Sequence, residues 1–371
     1  MTTPTGQISI TDVRSEFGRA APDGDTSGTA VSLGKYRVND LDTFNKPLDV
    51  GVPQSGTIKM SDLRGKTRNV IFNYSGTIQR EDLGADSSAL NVSSVYNANV
   101  DQYQTLSISK PLTIGQFVER PSDTDSASNP VILTVLVTGK LGSKRTDYDN
   151  SEKQYVALDT GTLGTGVSMR IEVATTGKIF GAGGQGGKGS KGSGDGGPAT
   201  NGTTAIGVRS GNGSVTIINS GTIQCGFGGG GGGGGSYDNP SKSMTDPVTS
   251  GGGGGGGAGF PNGLGGDAGT DAAKGSNGGA GNNSTDTTFG AGGDGGSPNE
   301  GVAIGGDGGD GGQNGIAPEV GFSTDKGNQR NGNGGEAGVN GAAIRIKTGA
   351  TFTLVGSVIG ATDAVDFEVN E

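Results

Sequence analysis

The sequence predicts a mainly β protein with a glycine-rich polyglycine II helix sandwich and little α-helix, and three observations predict this fold class. Glycine makes up 80 of the 371 residues, and 60 of those 80 lie between residues 181 and 341. Within that region glycine recurs in triplets with one other residue each. Outside it, β-branched segments are bounded by Gly, Ser, Asp and Pro, a pattern typical of strands.

Composition limits the chemistry that the chain can perform. It contains no histidine and a single cysteine, Cys225. The commonest general base and metal ligand are therefore missing, and Ser-His-Asp and Cys-His catalysis are excluded. We expect no enzymatic activity, no cofactor and no metal site, and we interpret Cys225 as a thiol in a small apolar pocket.

Charge and hydropathy narrow the range of partners. The formal net charge is −10, which argues against nucleic acid as a partner. No stretch approaches 18 consecutive apolar residues, so we expect no membrane insertion. The N-terminus has no basic region followed by an apolar run, and we expect no signal peptide.

Residues 1–67 contain an internal repeat. "GQISITDVRSEFG" from Gly6 aligns with "GTIKMSDLRGKT" from Gly56, and a weaker third copy begins at Ala30. Each copy predicts a short strand followed by a helical turn, with Thr-Asp or Ser-Asp supplying the N-cap. We interpret this region as a module of repeated strand-turn units.

Strand patterns continue on both sides of the glycine region. Residues 68–180 predict a β-rich, sandwich-like domain in which "PVILTVLVTG" is the expected central strand. Residues 342–371 predict a closing C-terminal β-hairpin. Similar strand-turn-strand segments begin at Met169 and Ser214 and lead directly into glycine, and we interpret these as hairpins too.

The three-residue period matches the polyproline II helix, which has three residues per turn and no internal hydrogen bonds. Amides of such a helix need partners in neighbouring segments, and positions without side chains let backbones approach closely. We therefore predict that residues 181–341 form packed polyglycine II helices with Asp, Lys and Gln facing outward. A flexible glycine-serine linker is the alternative.

Polar inserts between the glycine blocks are the candidate contact loops, because loops on a rigid scaffold usually carry recognition. They comprise residues 236–250, 282–289 and 317–330. Aromatic and arginine side chains dominate binding hot spots. The large side chains in or beside the inserts, which we take as candidate receptor contacts, are Tyr237, Phe260, Phe289, Phe322 and Arg330. The alternative is that some aromatic rings fill gaps at the ends of the glycine lattice.

Acidic residues on the triplets raise two further possibilities. "GGDGGD" from Gly305 matches the start of a calcium-binding nonapeptide, but Gly312 stands where that repeat needs a hydrophobic residue. Paired carboxylates can hydrolyse glycans, yet these acidic residues have no aromatic platform beside them. We interpret Asp294, Asp307 and Asp310 as residues that keep the lattice solvated.

Two motifs connect this chain with a known group of proteins. "TGKIFGAGGQGGKG" from Thr176 and "NSGTIQCGFGGGGGGGG" from Asn219 resemble the strand-then-glycine motif of bacteriophage tail-fibre and receptor-binding proteins. The triplet region as a whole resembles the adhesin tips of T-even-like phages, in which polyglycine II helices form a sandwich and loops contact the receptor. The N-terminal repeats resemble modules of virion structural proteins in marine and cyanobacterial phages.

This resemblance implies a tail or tail-fibre protein that is made in the host cytoplasm, resides in the virion and acts as a receptor-binding adhesin. It implies that residues 1–67 bind other tail or fibre proteins and that the loops bind a host cell-surface protein or glycan. Fibres favour a homotrimer, and a monomeric cap is equally consistent with the residues. The alternatives are a purely structural virion component, such as a baseplate, neck or capsid-fibre protein, and an ice-binding protein.

Overall fold

Strands dominate the regular structure, which confirms the mainly β prediction. The computed structural model describes residues 4–9, 12, 56–65, 69–74, 76–79, 105–108, 131–145, 155–161, 167–191, 194–209, 213–237, 248–270, 277–297, 304–323 and 330–364. A 3-10 helix spans Met60–Leu63. The strands, in chain order, are β1 (Asn69–Tyr74), β2 (Thr77–Gln79), β3 (Thr105–Ile108), β4 (Val131–Val137), β5 (Lys140–Gly142), β6 (Val156–Asp159), β7 (Val167–Val173), β8 (Lys178–Phe180), β9 (Thr204–Val208), β10 (Ser214–Asn219), β11 (Thr222–Gln224), β12 (Ser236–Tyr237), β13 (Val248–Thr249), β14 (Arg330–Asn331), β15 (Ala342–Ile346), β16 (Thr351–Val355) and β17 (Ala361–Ala364).

Three parallel sheets form the sides of a solenoid. The first has the strand order β16-β10-β7-β4-β1-β3, the second β11-β8-β5-β2 and the third β17-β15-β9-β6. From β4 to β16, apart from β12–β14, the chain visits the three sheets in turn, and strands of successive coils pair in parallel within each sheet. Strand β4 lies inside its sheet, as the sequence predicts for its apolar run. The strands before residue 180 and after residue 341 therefore share these sheets.

Aliphatic side chains at matching register positions fill the solenoid. Val135, Ile171 and Ile217 are adjacent across β4, β7 and β10, and all three are fully buried. Leu141 and Ile179 form the equivalent stack in the second sheet. Burial of these side chains is the main apolar contribution to stability.

The predicted hairpins are wrong, because the two strands of each pair belong to different sheets. Strands β7 and β8, β10 and β11, and β15 and β16 do not pair with each other but with strands of neighbouring coils. The Thr-Gly and Ser-Gly turns are corners of the solenoid. Corners of successive coils are hydrogen-bonded, since Lys178 N–H donates to Gly139 O at 2.8 Å and Thr222 N–H to Gly177 O at 3.0 Å. A Cβ atom on Gly177 would overlap Val137 O.

The glycine-rich segments leave the solenoid between its second and third sheets. One excursion connects β8 to β9, and a longer one connects β11 to β15. Together they supply ten extended runs of described chain, which we call the glycine lattice. Their hydrogen bonds arrange them in three layers, comprising 194–203, 181–190 and 261–270; then 330–341, 225–235, 250–259 and 277–285; then 316–323, 304–313 and 288–297.

Runs 225–235 and 250–259, here called the core runs, lie at the centre of the lattice. Every amide from Cys225 to Gly235 donates a hydrogen bond, and every carbonyl from Gly226 to Gly235 accepts one. The partners recur every three residues; for example, Gly226, Gly229 and Gly232 donate to the run 194–203. Each core run contacts six neighbouring runs. These bonds exclude the flexible linker for the described segments, while the helix type, polyglycine II, stays a prediction.

Six neighbours explain the uninterrupted glycine of the core runs. All residues from Gly226 to Gly235 and from Ser250 to Gly259 are buried, so no position points outward. Outer runs have one exposed side, and there the triplet admits one side chain. Lys188, Asp267 and Asp294, for example, are exposed at such positions.

The two N-terminal repeats share one local geometry in their described residues. Asp62 Oδ2 accepts from Lys59 N–H at 2.7 Å, and in the first copy Asp12 Oδ2 accepts from Ser9 N–H at 2.6 Å. The predicted capping role is therefore corrected, since Lys59 is the N-cap residue and Asp62 lies inside the turn. The N–H and the hydroxyl group of Ser9 both donate to the Asp12 carboxylate, and these two hydrogen bonds lower the pKa of Asp12. The weaker third copy lies outside the described residues.

We predict that the lattice is intolerant of a single methyl group at its centre. A Cβ atom on Gly255 would overlap Gly290 O, whereas the nearest atom to a Cβ on exposed Gly279 is 3.3 Å away. Gly255→Ala is expected to lower the free energy of unfolding by at least about 3 kcal/mol, and Gly279→Ala by no more than about 1 kcal/mol. Calorimetric melting of both variants measures the difference; equal melting temperatures would contradict close packing of the core run.

Candidate functional site at one end of the glycine lattice

The lattice has two ends of different character. At the sheet end, next to the solenoid, short described turns connect the runs at residues 259–261, 285–288 and 313–316. At the opposite end, here called the loop end, the chain leaves the lattice and returns at residues 191–194, 237–248, 270–277, 297–304 and 323–330. Five connections are therefore collected at the loop end.

A small antiparallel sheet marks the loop end. Strand β12, which continues a core run, lies between β13 and β14. Its register places Tyr237 opposite both Val248 and Arg330. In the neighbouring register pair of β12 and β13, Ser236 Oγ and Thr249 Oγ1 are 2.9 Å apart and buried. The sheet thus anchors Tyr237 and Arg330, two of the predicted contact residues, at neighbouring positions.

Phe322 lies at the same end, with a fixed backbone and an exposed side chain. Its N–H donates to Asp307 O at 2.9 Å, and its carbonyl accepts from Gly234 N–H at 3.1 Å. The side chain is nevertheless 52% exposed. Since Gly234 lies two residues before the start of β12, the structure brings Phe322 to the end that holds Tyr237 and Arg330.

Phe260 and Phe289 lie at the sheet end instead. Ser143 N–H of the solenoid donates to Phe260 O at 3.1 Å, and Phe260 N–H donates to Gly181 O at 2.9 Å. Phe289 is half-buried, and its N–H donates to Gln313 Oε1 at 3.2 Å. Residues 285–288 of the predicted insert 282–289 thus form a turn next to the solenoid, and its remaining residues and the first part of insert 317–330 belong to packed runs of the lattice.

Lys140 of β5 connects this turn to the solenoid. Its ammonium forms an ion pair with Asp286 and lies 3.5 Å from the centroid of the Phe260 ring. Gln224 Nε2 donates to Asp286 O at 2.8 Å. One lysine therefore contacts two separate lattice turns.

Polar side chains on the outer runs complete the hydrogen bonding of the lattice. Asp307 Oδ1 accepts from Gly295 N–H at 2.6 Å, and Asp310 Oδ1 accepts from Gly292 N–H at 2.8 Å. Asn201 Oδ1 likewise accepts from Val339 N–H at 2.7 Å. These side chains therefore bind backbone amides in addition to facing solvent. In the described part of the chain, no group of three or more acidic or cysteine side chains is placed to hold a metal ion.

Cys225 is buried where the solenoid meets a core run. It packs with Phe227, Ala258 and Ile359, in agreement with the apolar pocket that the sequence predicts. Burial raises the pKa of the Cys225 thiol to about 12. The thiolate that nucleophilic chemistry requires is therefore scarce at neutral pH.

Three connections at the loop end, 191–194, 270–277 and 297–304, were not predicted as contact loops. The signal was available in the spacing of the glycine blocks, because successive runs of similar length alternate in direction. Every second connection must then lie at the same end.

No helix in the described ranges is long and apolar enough to cross a membrane.

Backbone hydrogen bonds of the lattice therefore hold the ends of five chain connections at one end of the protein, an arrangement that suits a protein that presents loops to a partner. A family model, the phage tail fibre adhesin Gp38, matches residues 83–362, which are 280 of the 371 residues. The chain belongs to the phage tail fibre adhesin Gp38 family. A comparison with curated proteins found no match, and a comparison with solved structures found none either.

Family membership confirms the main functional prediction. The protein is a receptor-binding tail fibre component of a phage virion, which binds the host receptor and other tail components. A purely structural virion role is not favoured.

We predict that Lys140 stabilises the junction of lattice and solenoid. Lys140→Met keeps the aliphatic part of the side chain but removes the ammonium group that contacts Asp286 and the Phe260 ring. The substitution is expected to lower the free energy of unfolding by about 1–2 kcal/mol. Lys188→Met is the matched control, because the Lys188–Asp267 pair is largely exposed and contributes at most about 0.5 kcal/mol. Denaturant unfolding measures both; an equal loss in the control would contradict a special role for Lys140.

Proposed function

We propose that the loop end contacts the host receptor and that Tyr237, Phe322 and Arg330 take part in this contact. The observation that carries the proposal is the collection of five connections at that end of a lattice whose core amides are all bonded. Variable loops on a rigid support bind with little loss of conformational freedom.

The contacts made at the two ends of the lattice support placing the receptor contact at the loop end. At the sheet end, the turn residues Phe260 and Asp286 are bound to the solenoid, so this end of the lattice faces the rest of the protein. At the loop end, the Phe322 side chain is half-exposed on a hydrogen-bonded backbone. We therefore leave Phe260 and Phe289 out of the proposed contact.

We further propose that residues 1–67 attach the protein to other tail or fibre proteins. The second copy of the repeat contacts the segment just before the first, since Gly65 N–H donates to Pro4 O at 3.2 Å, and Leu63 is fully buried. Repeated units of this kind suit a docking role. A homotrimer stays a prediction.

We also propose that the protein has no enzymatic function. The absence of histidine from the sequence and the raised pKa of Cys225 support this, as does membership of an adhesin family.

We predict that loop-end substitutions weaken host binding without changing stability. Phe322→Ala and Arg330→Ala are each expected to lower the affinity of the purified protein for host cells at least ten-fold, or about 1.4 kcal/mol, as hot-spot residues do. Fluorescently labelled protein, titrated onto cells and counted by flow cytometry, gives the affinity.

Val339→Ala is the matched control for these two variants. Val339 is 67% exposed but lies on the run 330–341 near the sheet end. Melting temperatures of all three variants are expected to equal that of the unmodified protein. Unchanged cell binding in both loop-end variants would refute the proposed contact.

We predict that the N-terminal module determines incorporation into the virion. Gly65 has a positive φ of 62°, and a Cβ atom there would lie 3.2 Å from Thr5 Cγ2, so Gly65→Val is expected to disturb the contact between the second copy and the segment before the first. In phage complementation, virions should then contain several-fold less of the protein, while the purified variant still binds cells. Gly6→Ala is the control, because a Cβ on Gly6 meets nothing within 4 Å. Normal incorporation of Gly65→Val would exclude this role.

A further inference from the structure

A cleft opens at the sheet end of the lattice, far from the loop end. It has a volume of about 270 Å³ and is lined by Arg145, Phe260, Pro261, Asn262, Leu264 and Asn283. Arg145 follows strand β5, whereas the other five residues belong to two adjacent outer runs and the turn before them. Nothing in the function proposed above uses this cleft.

The apolar side of the cleft is held open by contacts behind it. Phe260 is fixed through its carbonyl by Ser143 N–H at 3.1 Å and through its ring by the Lys140 ammonium. Leu264 stands at an outward triplet position and is 40% exposed. Together with Pro261 these residues form a small apolar platform of the kind on which the apolar face of a sugar ring packs.

The polar side of the cleft carries one cation and two side-chain amides. Arg145 Nη1 donates to Asn262 O at 3.3 Å, which holds the guanidinium at the cleft. Asn283 Oδ1 accepts from Gly265 N–H at 2.8 Å, and this bond orients the amide group. Arginine recognises carboxylates through paired hydrogen bonds.

The electrostatics of the cleft contrast with those of the whole protein. The chain has a formal net charge of −10, yet none of the six lining residues is acidic. An anionic group is therefore the ligand that this cleft favours.

We propose that the cleft binds a single sugar ring that carries a carboxylate, as found in acidic surface glycans. The volume lies just below the roughly 300 Å³ at which pockets for drug-sized ligands begin, which suits one ring. The platform of Phe260, Pro261 and Leu264 packs against the ring, Arg145 binds the carboxylate, and the asparagine amides bind hydroxyl groups. The protein thus has a second, glycan-binding site that is separate from the loop end.

Ligand-observed NMR on the full-length protein tests this site, with glucuronic acid as the probe and glucose as the neutral counterpart. We expect saturable binding of glucuronic acid and at least ten-fold weaker binding of glucose. Arg145→Gln is expected to weaken glucuronic acid binding at least ten-fold, since hydrogen bonds to charged groups contribute about 1.5–3 kcal/mol. Arg170→Gln is the matched control, because Arg170 is an exposed residue of β7. The affinity of this variant for glucuronic acid should equal that of the unmodified protein.

A second variant keeps the test independent of any structural effect at Arg145. Leu264→Glu places a negative charge at an already exposed position and is expected to abolish glucuronic acid binding while the melting temperature stays the same. Three outcomes would overturn the proposal: no saturable binding of glucuronic acid, equal affinities of Arg145→Gln and the unmodified protein, or inorganic phosphate binding as tightly as glucuronic acid through Arg145. The last would indicate a simple anion site in place of a sugar site.

Discussion

The structure depends on one constraint, which is that buried backbone amides and carbonyls need hydrogen-bond partners. The solenoid meets it with parallel strand ladders between successive coils. The glycine lattice meets it without strands, because the backbone of each core run donates to three neighbouring runs and accepts from three others in a three-residue cycle. Only glycine permits runs to lie this close, since a methyl group on residues such as Gly230 would overlap a neighbouring carbonyl.

The solenoid and the lattice make different contributions, the first to the stability of the protein and the second to the position of the loop end. The solenoid has an apolar core that includes Met169, Ile206 and Ile344, and this core supplies the hydrophobic stabilisation that a lattice of backbone lacks. The lattice extends from one corner of that solenoid and holds its far end in a fixed position. An adhesin that must engage a receptor on a cell surface benefits from such a support, because a rigid support loses less conformational entropy on binding than a flexible one.

Much of the architecture could be predicted from local patterns, and the rest depended on distant partners. The triplets indicated packed backbone, and the strand positions were largely right. The hairpins failed at Thr176-Gly177 and Ser220-Gly221 because strand, turn and strand look the same in a hairpin and at a solenoid corner. Only pairing with the neighbouring coils distinguishes them. Repetition of "SGTIQ" at residues 75–79 and 220–224 was the available signal.

The candidate site was predicted in part for the same reason. Large residues between glycine blocks identified Tyr237, Phe322 and Arg330, but they equally identified Phe260 and Phe289, because local composition does not reveal which end of a run a turn occupies. The uninterrupted glycine from Gly228 to Gly235 disturbs the triplet period in the sequence. In the structure, these glycines lie in a core run that contacts six neighbouring runs, so no position of the triplet faces outward.

Six-neighbour packing also determines which genetic changes this protein tolerates. An insertion within a core run shifts every following residue against six partners at once, so most such changes abolish folding. An insertion between two runs at the loop end alters no lattice hydrogen bond. Random insertions and deletions are therefore filtered by the fold itself, and those that survive accumulate in the connections at the loop end. With the proposed receptor contact at that end, the lattice directs sequence diversity toward host range.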